Sequence, residues 1–149
     1  MNELQRTLEW FQIAIPNPTV ETTCVQIGCA LEETGELAKS LGCSQLSGNL
    51  NGHSSFYKGK SVYAINELML MDCDTAKQVL DDIVDEIVTR VGIAHCMGFD
   101  IIGALAEVNR SNFSKFEDGK PVFDADGKIT KGKHYTPPQL SEFIGEPKA

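Results

Sequence analysis

The sequence predicts an all-α protein: a helical bundle of four to five helices with a short irregular or β-hairpin-like C-terminal tail. Three observations carry this. Apolar residues recur at helical spacing, as Leu4, Leu8, Phe11 and Ile15 near the start and as Leu80, Val84, Ile87, Val91 and Ala94 later. Cap and stop residues bracket these stretches. The segment Cys24 to Leu31 is nearly all apolar, which marks a central helix.

Residues 2–14 read as the first helix, with Trp10 beside its stripe and Pro16 ending it. Pro-Asn-Pro at 16–18 then makes a sharp connection. Asn17 or Thr19 caps the second helix, Pro18 fits its first turn, and Gly42 stops it after about Leu41. Residues 43–60 shift to Ser, Gly and Asn, the composition of a long surface loop or insertion. A short apolar helix over 61–71 is capped by Ser61. Asp74 caps a long helix from Thr75 to about Met97, and Gly98 stops it. Asp100 caps a last helix to about Phe116. The tail from 117 holds two Asp-Gly turns with short strands between them, and is expected to pack over the helices or over a neighbouring subunit. No repeats occur. At 149 residues the chain is long enough for one domain with its own core.

The net charge of −8 argues against a nucleic-acid backbone as the main partner. It leaves room for a nucleotide, whose phosphates a metal ion can bridge to acidic residues. Five cysteines without tight spacing (Cys24, Cys29, Cys43, Cys73 and Cys96) are expected as free thiols in a reducing compartment, mostly filling the core. His53, His95 and His134 fall at no zinc-ligand spacing. No long apolar span and no leader pattern occurs, so a soluble cytoplasmic protein without a membrane partner is expected.

The chemistry centres on two acidic pairs. Glu33 and Glu36 are three apart in LEETGELAKS and share a helix face with Cys29, Ala30 and Leu37. Carboxylates on a largely apolar face call for a counter-charge or a metal. Asp82 and Asp85 repeat the spacing in DDIVDEIV. Their face lies opposite the Leu80–Val84–Ile87–Val91 stripe, which equally suits a solvated surface, although Ile93 and Met97 fall on the Asp82 side one turn later. Two helices, each giving carboxylates at i and i+3, suit the hard-oxygen octahedron of Mg²⁺.

With these pairs the chain resembles the MazG-like members of the all-α nucleoside triphosphate pyrophosphohydrolases, marked by EExxE on one helix and ExxD on a later one. Glu32-Glu33-Thr34-Gly35-Glu36 matches the first motif in full. Asp82-Ile83-Val84-Asp85 departs from the second at its first position, where Asp is one methylene short; Glu86 is a possible substitute. The segment from Asn109 to Pro138 also resembles the C-terminal part of short phage-type and bacterial members. The resemblance implies hydrolysis of (d)NTPs to a monophosphate and pyrophosphate, with Mg²⁺ or Mn²⁺, by a homodimer or homotetramer.

The expected ligands are Glu33, Glu36, Asp82 and Asp85, with a metal-polarised water attacking phosphorus. Glu32 lies about 100° round the helix from Glu33; it receives the water's proton or stands outside the metal's ligands. Lys115 offers a point charge for phosphate, with Asn109 and Asn112 on the same helical surface; a solvated helix end explains these three equally. Lys128 and Lys131 are further cations in the tail. Arg110 points elsewhere by spacing. The resemblance brings Trp10 and Phe11 near the nucleobase, although core packing or a subunit contact suits either ring. Gln26 suits a base edge or a satisfied buried amide, and His95 reads as structural. Two alternatives stay open: the same chemistry on phosphoribosyl-ATP or an alarmone, and a non-catalytic helical assembly module that senses nucleotide through metal.

Overall fold

The computed structural model describes residues 1–125 and 127–145. The all-α expectation holds. The described residues form six α-helices and one 3₁₀ turn, with no strand, only isolated bridge positions at Glu117, Lys120, Phe123 and Ile129. The helices are α1 (Glu3–Ala14), α2 (Val20–Ser40), α3 (Ser44–Lys58), α4 (Val62–Met69), α5 (Cys73–Cys96) and α6 (Ile101–Phe113); the 3₁₀ turn is Ser141–Phe143. The chain divides into two compact units. One holds Met1–Pro16, Asp72–Val122 and the chain from Ile129; the other holds Asn17–Met71 and Phe123–Lys128.

In the first unit α1 packs on α6. Asn2 caps α1 in a capping box with Gln5. Trp10 and Ala14 are buried, and the Trp10 ring stacks on Phe116 with centroids 5.6 Å apart. Its indole N–H donates to the Asn112 carbonyl at 2.9 Å. The fully buried Asn109 fastens the two helices. Its amide donates to the Glu3 carbonyl and the Glu3 carboxylate, and its oxygen accepts from the Thr7 hydroxyl, each at 2.9 Å.

The tail lies along α6 in the same unit. Gly132 N–H donates to the Lys115 carbonyl, Ser111 hydroxyl to the Thr136 carbonyl, and Gln139 N–H to Glu107. Arg110 grips Glu107, Thr136 and the Pro137 carbonyl. Asp118 and Gly119 both take positive φ, 50° and 73°, as the two-residue turn between Glu117 and Lys120 requires. Asp126 of the second Asp-Gly turn, and residues 146–149 of the expected extension, lie outside the described residues.

The long helix α5 begins two residues earlier than its sequence suggests. Asp72, not Asp74, is the cap, accepting from Thr75 N–H at 2.7 Å; Asp74 falls inside the first turn. Gly98, at φ 74°, closes it in a Schellman turn in which Phe99 N–H reaches the Ala94 carbonyl. Ala94 is the one buried residue of this 24-residue helix. Leu80, Ile83, Val84, Ile87, Val88 and Val91 are all exposed.

In the second unit Thr19, rather than Asn17, caps α2. Pro18 therefore precedes the cap instead of entering the first turn. Gly42, at φ 87°, ends α2 in a Schellman turn as its position suggests. The expected loop over 43–60 is mostly helix: α3 folds back on α2 as a helical hairpin. Its buried serines, Ser47 and Ser54, are the small side chains that allow close contact with α2, whereas Gly48 and Gly52 face open space. A Cβ on Gly28 would stand 2.8 Å from the Ser54 carbonyl oxygen and 2.6 Å from Lys58 Cγ, so only glycine lets the backbones meet there. The buried Ser54 hydroxyl donates to the Gly28 carbonyl at 2.7 Å. Ala64 of α4 is buried too.

All five cysteines are free, but only Cys24 is buried; Cys29 is half-buried, and Cys43, Cys73 and Cys96 are exposed. The core-filling expectation therefore holds for Cys24 alone. No single helix among the described residues is long and apolar enough to cross a membrane; only α5 and α6 together, bent by 117°, have the length and composition.

Candidate functional site

The face of α2 that packs is made of Cys24, Gly28, Gly35 and Ala38, spaced three, four and seven apart. This is not the Cys29–Ala30–Leu37 side that the apolar residues suggest. Glu32 sits one turn after Gly28 and lies at the edge of the packed face, half-buried. Glu33 and Glu36 fall further round and are exposed.

Glu32 is the charged centre of this unit. Its Oε2 accepts from Lys58 Nζ at 2.6 Å and from Lys128 Nζ at 2.8 Å. Lys58 is in the last turn of α3, its stem against Gly28 and its side chain only 20 % exposed. Lys128 follows the turn at Gly127, where its own N–H is held by the Asp124 carboxylate at 2.9 Å. Hydrogen bonds from Lys128 first, then Lys58, hold the Glu32 carboxyl below its ordinary range, and the same bond raises Lys128. Burial pushes the nearby Cys29 thiol up, against the opposing pull of Lys58 and Lys128. A cleft of about 350 Å³ adjoins the cluster, with Glu32, Glu36, Lys39, Asn51, Ser55 and Lys58 on its walls.

The second acidic pair belongs to the other unit. Asp82 and Asp85 are exposed on α5, and the Gln78 amide donates to Asp82 at 3.0 Å. Glu86 is exposed as well. Among the described residues of one chain, no three His, Cys, Asp or Glu side chains gather as a metal-holding group. The donor types fit Mg²⁺.

Several expected substrate contacts are engaged in packing. Asn109 is buried with its amide bound to α1, a placement at odds with a phosphate contact. Trp10 is buried and stacked on Phe116, not open to a base. Asn112 lends its carbonyl to Trp10, and the Lys115 ammonium lies over the Trp10 ring, 5.8 Å from a ring centroid. Phe11 is partly exposed and meets Trp10 edge-on. Gln26 is half-buried. Lys131 lies over Tyr135, and Arg110 braces the tail. Sequence reasoning missed Lys58, because it falls in the stretch read as loop. Its only signal is its place at the end of a segment bounded by Gly42 and Gly59.

No protein-family model, curated protein or solved structure matches the chain. The MazG resemblance thus stands on the two acidic motifs and the tail segment.

Proposed function

We propose that the protein is a Mg²⁺-dependent pyrophosphohydrolase of (d)NTPs, active as a homo-oligomer. The observation that supports this reading most is the pairing of exposed carboxylates with an uncovered apolar helix. Glu33 and Glu36 on α2, and Asp82 and Asp85 on α5, are solvent-accessible hard-oxygen donors, and α5 leaves its apolar stripe bare. Such a stripe is normally covered, here by a second copy. Glu33, Glu36, Asp82 and Asp85 would hold the metal, which on binding supplies Lewis-acid stabilisation of phosphate charge. Glu32, ion-paired below its ordinary pKa, is kept as an anion. It is a base for the attacking water only when the lysines move aside.

The test is pyrophosphate release from a panel of dNTPs and NTPs with Mg²⁺ or Mn²⁺, extended to phosphoribosyl-ATP and an alarmone. The reading fails when every nucleotide is inert and Asp85→Ala leaves metal affinity unchanged. A second reading, a non-catalytic module that binds nucleotide through metal, is favoured by the Asp82 departure from the second motif and by the two lysines that occupy Glu32. Tight nucleotide binding without turnover selects it.

A further inference from the structure

We infer that Lys58 and Lys128 form a seat for a diphosphate group, and that Glu32 occupies this seat as an internal anion until the ligand arrives. Two ammonium groups converge on one carboxylate oxygen, at 2.6 and 2.8 Å. At that oxygen two positive charges meet one negative charge, while Glu33, Glu36 and Asp124 stand as further carboxylates around the cluster. Each ammonium carries three donors, of which Glu32 takes one. The remaining donors suit an anion with several oxygens, and charge-assisted bonds to phosphate are the strong kind.

The arrangement is built rather than incidental. Gly28 allows the Lys58 stem to lie against α2, which fixes where its ammonium ends. Asp124 holds the backbone of Lys128 from the other side. The adjoining cleft of about 350 Å³ offers the Asn51 amide and the Lys39 ammonium as further donors. Glu36 also faces that cleft, so an anion seated there has an acid of the proposed metal set beside it. The choice of a diphosphate rests on the hydrolase reading, in which pyrophosphate is the leaving product; the cationic seat itself does not.

Calorimetric titration of the full chain with inorganic pyrophosphate in excess EDTA tests the seat without metal or turnover. The wild type is expected to bind. Lys58→Met and Lys128→Met each weaken binding by roughly tenfold, the scale of one charge-assisted hydrogen bond, while Lys128→Arg retains it. Glu32→Gln tightens binding, because it removes the competing anion while keeping the side-chain shape. Circular dichroism of each variant reports whether the helices remain. No binding by either the wild type or Glu32→Gln overturns the inference, as does weaker binding by a folded Glu32→Gln. Metal-free binding with no nucleotide turnover keeps the seat and removes the hydrolase; turnover with no metal-free binding does the reverse.

Discussion

Asn109 shows how much one buried amide can decide. Its carboxamide meets Glu3 twice and Thr7 once, so truncation leaves polar groups of α1 without their partner. Asn109→Ala is expected to lower stability by about 1–3 kcal/mol in urea unfolding, with no direct effect on nucleotide affinity. Glu107 carries the clearest pH dependence. Hydrogen bonds from Arg110 first, then from the Gln139 N–H, pull its carboxyl from 4.5 down to about 2. A depressed folded pKa means that the unfolded chain takes up the proton first. The stabilisation is therefore complete above pH 4.5 and is lost as pH falls from there towards about 2. Acid titration of Glu107→Gln beside the wild type checks this: their stability difference should shrink across that window. At the proposed metal site, Asp85→Asn should weaken Mg²⁺ binding by more than about tenfold, the scale found for groups one bond further from a metal. Isothermal titration with Mg²⁺ measures it.

At the scale of elements, the α2–α3 hairpin gives paired predictions of opposite sign. Gly28→Ala places a methyl against the Ser54 carbonyl and the Lys58 stem, and should cost about 1–3 kcal/mol by overpacking. Gly48 and Gly52 of α3 have open space where a Cβ would go, so alanine there should add about 0.4–1 kcal/mol each. Thermal unfolding of the three variants distinguishes them. The same hairpin marks where the sequence misleads. Periodicity reveals α1 and α5, and apolar content and cap residues place α2, α4 and α6. Helix α3 carries Gly, Ser and Asn, poor helix formers, and is held by a neighbour that small side chains allow close. A pattern of size leaves no mark on a reading of hydropathy. The cap of α5 was misplaced for a plainer reason: Asp72 and Asp74 both precede an apolar run, and local spacing does not choose between them.

Across the whole molecule the dominant fact is uncovered apolar surface on α5. Ile87, 44 % exposed in one chain, has little to lose there when replaced by Asp. In the proposed assembly it would face another copy, so Ile87→Asp is expected to shift the protein towards monomer in light scattering while keeping its helicity. The candidate site was legible only in part. Paired carboxylates leave a fixed i, i+3 signature, and both pairs are solvent-exposed. The cations that meet Glu32 come from α3 and from the turn before Lys128, distant in sequence from it, and nothing local announces them. For Trp10 and Asn109 the sequence leaves packing and ligand roles side by side, because a ring or amide has the same composition in either, and the structure places both in packing. The thiols of Cys73 and Cys96, exposed at the first and last positions of α5, add a ruler to this picture. A 24-residue helix is about 36 Å long, so oxidation can join only ends that already lie together. Cross-linked peptides of Cys73 with Cys73 report neighbouring copies aligned in one direction, and those of Cys73 with Cys96 report copies running head to tail.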